Sequence, residues 1–281
     1  MSVKLTPEEF FLVRDFIEEL SGIRVGEGKS YLIESRLAGL LREMKCETFS
    51  DFYFRAKNGR QQGVRERIID AMSTQETLWF RDMHPYRILG EVLLPQFAVE
   101  IKEGARSNMR IWSAASSTGQ EPYSLAMTLL DAIRKQPVFK PEMFEIQATD
   151  IAPSALKVAQ DARYDRIAMG RGLPPQYRQR YFQDEGRYAR LSDEVRRFVS
   201  FKQFNLKESF ASLGSFDVVL CRNVAIYFSD ELKCELYAKI KRVLRSPGYL
   251  FLGSSESISA YSSDFELIDH DGAIFYKVKG R

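Results

Sequence analysis

Four short stretches hold the residues best suited to chemistry. Ser113 to Pro122, SAASSTGQEP, is a run of small residues leading into a helix whose start is marked by Pro122. Small side chains let a ligand approach the backbone, and a helix N-terminus offers free amides. The run is no G-x-G-x-x-G fingerprint, and Glu121 at the helix entrance repels a pyrophosphate while tolerating an amino or sulfonium cation. Asp150, in Ala148-Thr149-Asp150-Ile151, is an acid that can accept both hydroxyls of an adenosine ribose or cap the following helix. It lies about 30 residues past Gly119, against the ~20 of a nicotinamide-binding fingerprint. Phe204-Asn205-Leu206 and Cys221 to Phe228, CRNVAIYF, complete the set, with Arg222-Asn223 reading as an exposed polar pair at a strand end.

Scarcity narrows the chemistry further. The 281 residues include two histidines, His84 and His270, and three cysteines, Cys46, Cys221 and Cys234, with no C-x-x-C pair. A zinc enzyme needs two or three imidazoles or a cysteine cluster, so no metal is expected, and each cysteine reads as a small, reduced, buried hydrophobe. With 41 basic and 38 acidic residues the net charge is +3, too little to argue for nucleic acid. The first residues lack the apolar run of a signal peptide and nothing approaches a membrane span, so a cytoplasmic protein with no membrane insertion is expected.

These residues need elements to hold them. Thr6, Pro7 and Glu9 form a capping box before Phe10, Leu12, Val13, Phe16, Ile17 and Leu20, and Gly22 ends that helix. Helices over Ser30 to Met44, Ser50 to Ala56 and Val64 to Met72 complete a small helical domain, 1–73, with 12 basic and 12 acidic residues through Ala71. Beyond it, apolar strands at Met109 to Ala114, Phe144 to Thr149, Phe216 to Cys221 and Tyr249 to Gly253 alternate with helices over Glu121 to Arg134, Pro153 to Asp161 and Ser229 to Leu244, the grammar of a parallel α/β sheet. Asp271-Gly272 between Phe265 to Ile268 and Ile274 to Val278 signals a final antiparallel hairpin. Arg163 to Lys202 interrupts the alternation, carries ten basic and five acidic residues, and holds strand-like pieces at Tyr188 to Leu191 and Phe198 to Phe204; its local excess reads as a solvated face or as a surface for an acidic partner.

Thr77-x-x-Phe80-Arg81, Ser116-Ser117-Thr118-Gly119-x-Glu121-Pro122-Tyr123-Ser124 and Cys221-Arg222-Asn223-Val224-x-Ile226-Tyr227-Phe228 together resemble the chemotaxis receptor methyltransferases of the CheR family, and the similarity runs nearly the full chain. The resemblance implies a class I S-adenosylmethionine-dependent methyltransferase fold: a Rossmann-like, seven-stranded, mostly parallel sheet with an antiparallel C-terminal hairpin. It also implies a catalytic domain over 74–281 with an antiparallel β-subdomain inserted near 163–202, behind the helical N-terminal domain.

Carried over by position, the cofactor contacts are Gln75, Thr77, Arg81, Glu121, Asp150, Asn205, Leu206, Arg222 and Asn223. Gln75 stands where relatives commonly carry Asn, and Gln120 where Glu is common. The implied reaction converts S-adenosylmethionine to S-adenosylhomocysteine while methylating glutamates on chemoreceptor cytoplasmic helices, with Arg81 and Tyr227 flanking the methyl group. Arg36 and Arg42 are the expected receptor contacts, in a monomer. The short stretch Gln183 to Arg187 resembles members that bind no receptor C-terminal pentapeptide. Two other readings remain: a nucleic-acid methyltransferase, disfavoured because Cys-Arg-Asn-Val replaces the Asp/Asn-Pro-Pro-aromatic motif, and a non-catalytic S-adenosylmethionine-binding regulatory module.

Overall fold

A computed structural model describes residues 3–58 and 63–280. The helical domain comprises α1 (Pro7–Ser21), α2 (Ser30–Glu43), α3 (Phe49–Asn58) and α4 (Val64–Met72). The Thr6 hydroxyl accepts the Glu9 amide while the Glu9 carboxylate accepts the Thr6 amide, and Gly22 closes α1 at φ 79°. Apolar faces from all four helices, among them Val13, Ile17, Ile33, Leu37, Phe49, Phe52 and Ile68, form a core of their own.

A connecting segment, 73–83, leads to α5 (His84–Ile88), a π-helical turn (Leu89–Leu93) and α6 (Leu94–Lys102), none of which the sequence reading anticipated. The sheet then begins with β1 (Met109–Ala114), α7 (Gln120–Lys135), β2 (Phe144–Asp150) and α8 (Pro153–Asp161). An inserted unit follows: β3 (Arg163–Asp165), α9 (Arg166–Met169), α10 (Pro175–Tyr181), β4 (Phe182–Glu185) and β5 (Tyr188–Leu191), its strands pairing antiparallel in the order β3-β5-β4. After α11 (Asp193–Arg196) come β6 (Val199–Gln203), β7 (Phe216–Cys221), α12 (Asp230–Val243), β8 (Leu244–Phe251), β9 (Phe265–His270) and β10 (Ala273–Val278).

The large sheet runs β6-β2-β1-β7-β8-β10-β9. Its first five strands are parallel, and β10 pairs antiparallel with both β8 and β9 across a turn in which Asp271 and Gly272 both have positive φ. Three sequence expectations need correction. The strand near Phe198 belongs to the large sheet, since β6 pairs parallel with β2 from Ile146↔Val199 to Asp150↔Gln203, so the inserted sheet ends at Leu191. An edge strand buries one face only, which is why its polar alternation resembled that of an inserted hairpin. The strand expected at Tyr249 starts at Leu244 and stops at Phe251. Cys234 is exposed, unlike buried Cys46 and Cys221.

Chain order fixes where a ligand can sit. From β1 the chain moves outward through β2 to β6, then crosses back to β7 on the opposite side of β1, so the switch point lies at the carboxyl ends of β1, β2 and β7. Gly119 makes the tight entry from β1 into α7 possible: its φ is +94°, and a Cβ there would lie 2.9 Å from the Ala159 Cβ and 3.1 Å from the Tyr164 hydroxyl. Gly119→Ala combines a left-handed backbone penalty of ~1–2 kcal/mol with an overpacking cost of ~1–3 kcal/mol. Urea unfolding is expected to register a loss of about 2–5 kcal/mol.

Candidate active site

A cavity of about 910 Å³, its open mouth included, occupies the switch point and extends to the helical domain. All ten predicted cofactor and catalytic residues line it: Gln75, Thr77 and Arg81 from the connecting segment, Glu121 from α7, Asp150 from β2, Asn205 and Leu206 after β6, and Arg222, Asn223 and Tyr227 after β7. Arg36 and Arg42 do not. The Arg36 guanidinium donates to the carbonyls of Met72 and Ser73 and to the Thr74 hydroxyl, so it anchors the start of the connecting segment. Arg42 is exposed on α2.

Asp150 sits at the floor, 6% exposed. Its Oδ2 accepts the Ser117 amide at 2.7 Å and its Oδ1 the Ala152 amide at 2.9 Å, so it steadies both flanking loops and still keeps unused lone pairs. Burial pushes its carboxyl above the usual aspartate value despite those amides. Ser117 Oγ donates to Gln75 Oε1 at 2.8 Å, tying the connecting segment to the loop after β1.

Arg222 is not the exposed residue its sequence context suggested: its side chain is 1% exposed. The guanidinium donates to Glu121 Oε2 at 2.7 Å, Asp82 Oδ2 at 2.6 Å and the Arg81 carbonyl at 2.9 Å. Burial works most strongly against its charge, but Glu121, Tyr86 and Asp82 together outweigh that and raise its pKa. Burial likewise works against the Asp82 carboxylate, yet the Ser254 hydroxyl and Arg222 hold it below the usual range. Glu121 also accepts the Ser113 hydroxyl at 2.8 Å. His84 is pushed down by burial and by Arg222, which favours a neutral ring.

Several site residues were not found from sequence. Ser21 and Ile23, at the end of α1, form a wall of the cavity. Asp82 appears only as the third member of the ion triad. Glu256 Oε2 accepts the Asn223 amide at 2.6 Å and the Gly253 amide at 2.8 Å, holding Asn223 at φ 57°. Ala115, Ser117, Phe80, Asp82 and Met83 also adopt positive φ around the cavity, a cost of about 1–3 kcal/mol per residue that surrounding contacts must offset. The hydroxyls of Ser73 and Ser116 and Asn223 Oδ1 are buried at the cavity without a partner, polar groups that a hydrogen-bonding ligand would satisfy. Among the described residues no cluster of three or more His, Cys, Asp or Glu could hold a metal ion, and no helix is long and apolar enough to cross a membrane.

The mostly parallel seven-stranded sheet, with this cavity at its switch point, defines a class I S-adenosylmethionine-dependent methyltransferase. Residues 75–274 match the family "CheR methyltransferase, SAM binding domain" and residues 8–73 match "CheR methyltransferase, all-alpha domain". The chain is 40% identical over 279 residues to "Chemotaxis protein methyltransferase 1" of Vibrio cholerae, covering 99% of both chains. It is 41% identical over 274 residues to "Chemotaxis protein methyltransferase 1" of Pseudomonas aeruginosa, covering 96% of this chain and 98% of that one. The chain belongs to the CheR methyltransferase family.

The orphaned hydroxyls, the Asp150 carboxylate and the Glu121 carboxylate suit the ribose and cationic ends of S-adenosylmethionine, the cofactor the family indicates. Replacing Arg222 would leave two acids without their buried cation, so Arg222→Met is expected to destabilise the fold by about 3–5 kcal/mol in urea unfolding. The sign of the acid limb follows from Asp82. Its folded pKa lies below the unfolded value, so its contribution is present above about pH 4 and fades as pH falls through the depressed value. Arg222→Met should reduce that acid-side loss.

Proposed function

We propose that the protein transfers the methyl group of S-adenosylmethionine to glutamate carboxylates on the helical cytoplasmic domains of chemoreceptors, acting in the cytoplasm as a monomer. The methyl esters so formed would serve sensory adaptation. The observation that carries the reading is the convergence, in one cleft, of ten family-matched residues drawn from five separated stretches of chain.

The cofactor supplies a methyl group already activated by a sulfonium centre. In this reading Asp150 accepts the ribose hydroxyls, Asn205 and the Leu206 backbone take the adenine edge, and Gln75, Thr77 and Asn223 complete the polar lining. Glu121 faces the methionine end beside Arg222. A glutamate with a pKa near ~4.3 is an anion at neutral pH, so its attack needs no general base. Neither of the chain's two histidines lines the cavity, which agrees with that. What remains for the protein is alignment and exclusion of water. Arg81 orients the incoming carboxylate, and Tyr227 offers its ring or hydroxyl to the cationic methyl centre.

On the helical domain, exposed Arg42 is the basic contact suited to an acidic receptor helix, and Arg36 acts through the segment it anchors. Binding of a receptor C-terminal pentapeptide is not part of the reading: β4 and β5 are joined by Gly186-Arg187 alone, with Asp184 Oδ1 accepting the Gly186 amide at 2.7 Å. Calorimetric titration with such a peptide should show no binding at micromolar concentrations, and micromolar affinity would reverse this part.

The test is transfer of tritiated methyl from S-adenosylmethionine to receptor cytoplasmic fragments, with the label released as methanol on mild base treatment. Base-stable label would exclude a carboxyl ester. Arg81→Ala and Tyr227→Phe should lower turnover more than cofactor affinity, and unchanged turnover would remove that residue from the mechanism. Asp150 adds a pH signature. The ionised form accepts hydroxyls, and its raised pKa means that form is lost as pH falls, earlier than for an ordinary aspartate near ~3.9. Cofactor affinity should therefore weaken as pH falls in the parent and stay low and flat with pH in Asp150→Asn.

A further inference from the structure

The last turn of α1 has no basic residue and carries Glu18 and Glu19, the wrong sign for the negative end of a helix dipole. The Glu18 carbonyl accepts the Gly22 amide at 2.8 Å, and the terminal carbonyls find further partners in the other domain. Lys207 Nζ donates to the carbonyls of Glu18 at 2.9 Å and Glu19 at 2.6 Å, and Asn205 Nδ2 donates to the Leu20 carbonyl at 2.8 Å. Both come from the loop after β6 that lines the adenine side of the cavity. The chain then turns at Gly22, where a Cβ would lie 2.7 Å from the Leu232 side chain and φ is +79°. Two residues on, the Arg24 amide donates to the Tyr227 carbonyl at 2.8 Å. Between these ties Ser21 and Ile23 face the cavity. The loop is itself held from below, since Lys239 Nζ on α12 donates to the carbonyls of Leu206 at 2.7 Å and Lys207 at 3.1 Å.

We propose that Lys207 is a positioning residue for the cofactor: by capping α1 from the adenine-side loop, it holds the Ser21–Ile23 wall against the cavity and makes the helical domain part of the cofactor site. The proposal rests on the S-adenosylmethionine reading above. One segment thereby joins the adenine loop at one end to the Tyr227 turn at the other. A ligand bound in the cavity and a docked helical domain then stabilise each other, and by linkage each strengthens the other equally.

The test uses the full chain with Lys207→Met and Lys207→Arg, titrated with S-adenosylhomocysteine, alongside hydrogen exchange of the unliganded protein. Exposed charge-assisted bonds are modest, so Lys207→Met should weaken binding about three- to tenfold. It should raise KM for S-adenosylmethionine by a similar factor while kcat at saturation stays within about twofold. Exchange at the Gly22 and Arg24 amides should speed up, with the global unfolding transition unmoved. Lys207→Arg, which keeps a cation in reach of the carbonyls, should recover most of the affinity. Faster exchange at Gly22 and Arg24 with parental affinity would overturn the proposal, as would unchanged exchange, or a fall in kcat and stability with no change in KM. A parent chain that fails to bind S-adenosylhomocysteine would instead sink the cofactor reading beneath it.

Discussion

A buried arginine holds this site together. Arg222 lies at the end of a strand buried at every position, where a lone guanidinium would be prohibitively costly, and the cost is met by two carboxylates and a carbonyl drawn from elsewhere in the chain. Glu121 brings the start of α7, Asp82 and the Arg81 carbonyl bring the connecting segment, and Arg222 brings the end of β7. Three stretches more than 30 residues apart thus meet at one planar group, whose fork fixes direction as well as distance. The strained backbone of Phe80, Asp82 and Met83 is tolerable because this clamp over-determines it.

The same constraint bears on the proposed chemistry, which needs no base. The buried charges of Arg222, Glu121 and Asp82 compensate one another, and neither histidine lines the cavity. Such a site is well suited to aligning groups that arrive already charged. A carboxylate nucleophile and a sulfonium-bound methyl need orientation and dryness above all, and rigid backbone with small residues close to the ligand provides both.

Local signals carried most of the architecture. Continuous apolar runs at β1, β2 and β7, the Thr6–Glu9 box, and the Asp271-Gly272 turn are each encoded within a few residues, and each folds as its pattern indicates. Seven of the ten rim residues were legible because strand ends in a parallel sheet collect them; Gln75, Thr77 and Arg81, in the connecting segment, came from the family resemblance. What stayed hidden depends on distant partners. Arg222 reads as exposed because nothing beside it in sequence neutralises it; Glu121 and Asp82 are 101 and 140 residues away. Glu256 is one acid among many until the Asn223 amide is seen to need it. Ser21 and Ile23 are an unremarkable helix end whose place in the cavity is set by Lys207. The edge strand β6 was assigned to the insertion because a half-exposed strand alternates whichever sheet it joins.

The inserted sheet has a structural part to play that does not depend on peptide binding. Trp79 is fully buried, its indole donates to the Ala168 carbonyl at 3.1 Å, and its amide donates to the Arg171 carbonyl at 3.0 Å. Arg171 is also paired with Glu76, and Tyr164 and Phe182 pack edge-on against the Trp79 ring. The insertion therefore grips the connecting segment from behind while Arg222 grips it from the cavity side. Held from one side only, the run from Gln75 to Arg81 would keep the freedom of an exposed loop, and ordering it on binding would cost ~1–2 kcal/mol per residue of backbone entropy. Held from both, it enters the reaction already in place, so the short β4–β5 turn and an insertion retained beside it are compatible: the sheet's contacts with Trp79 and Glu76 give it work at the active site.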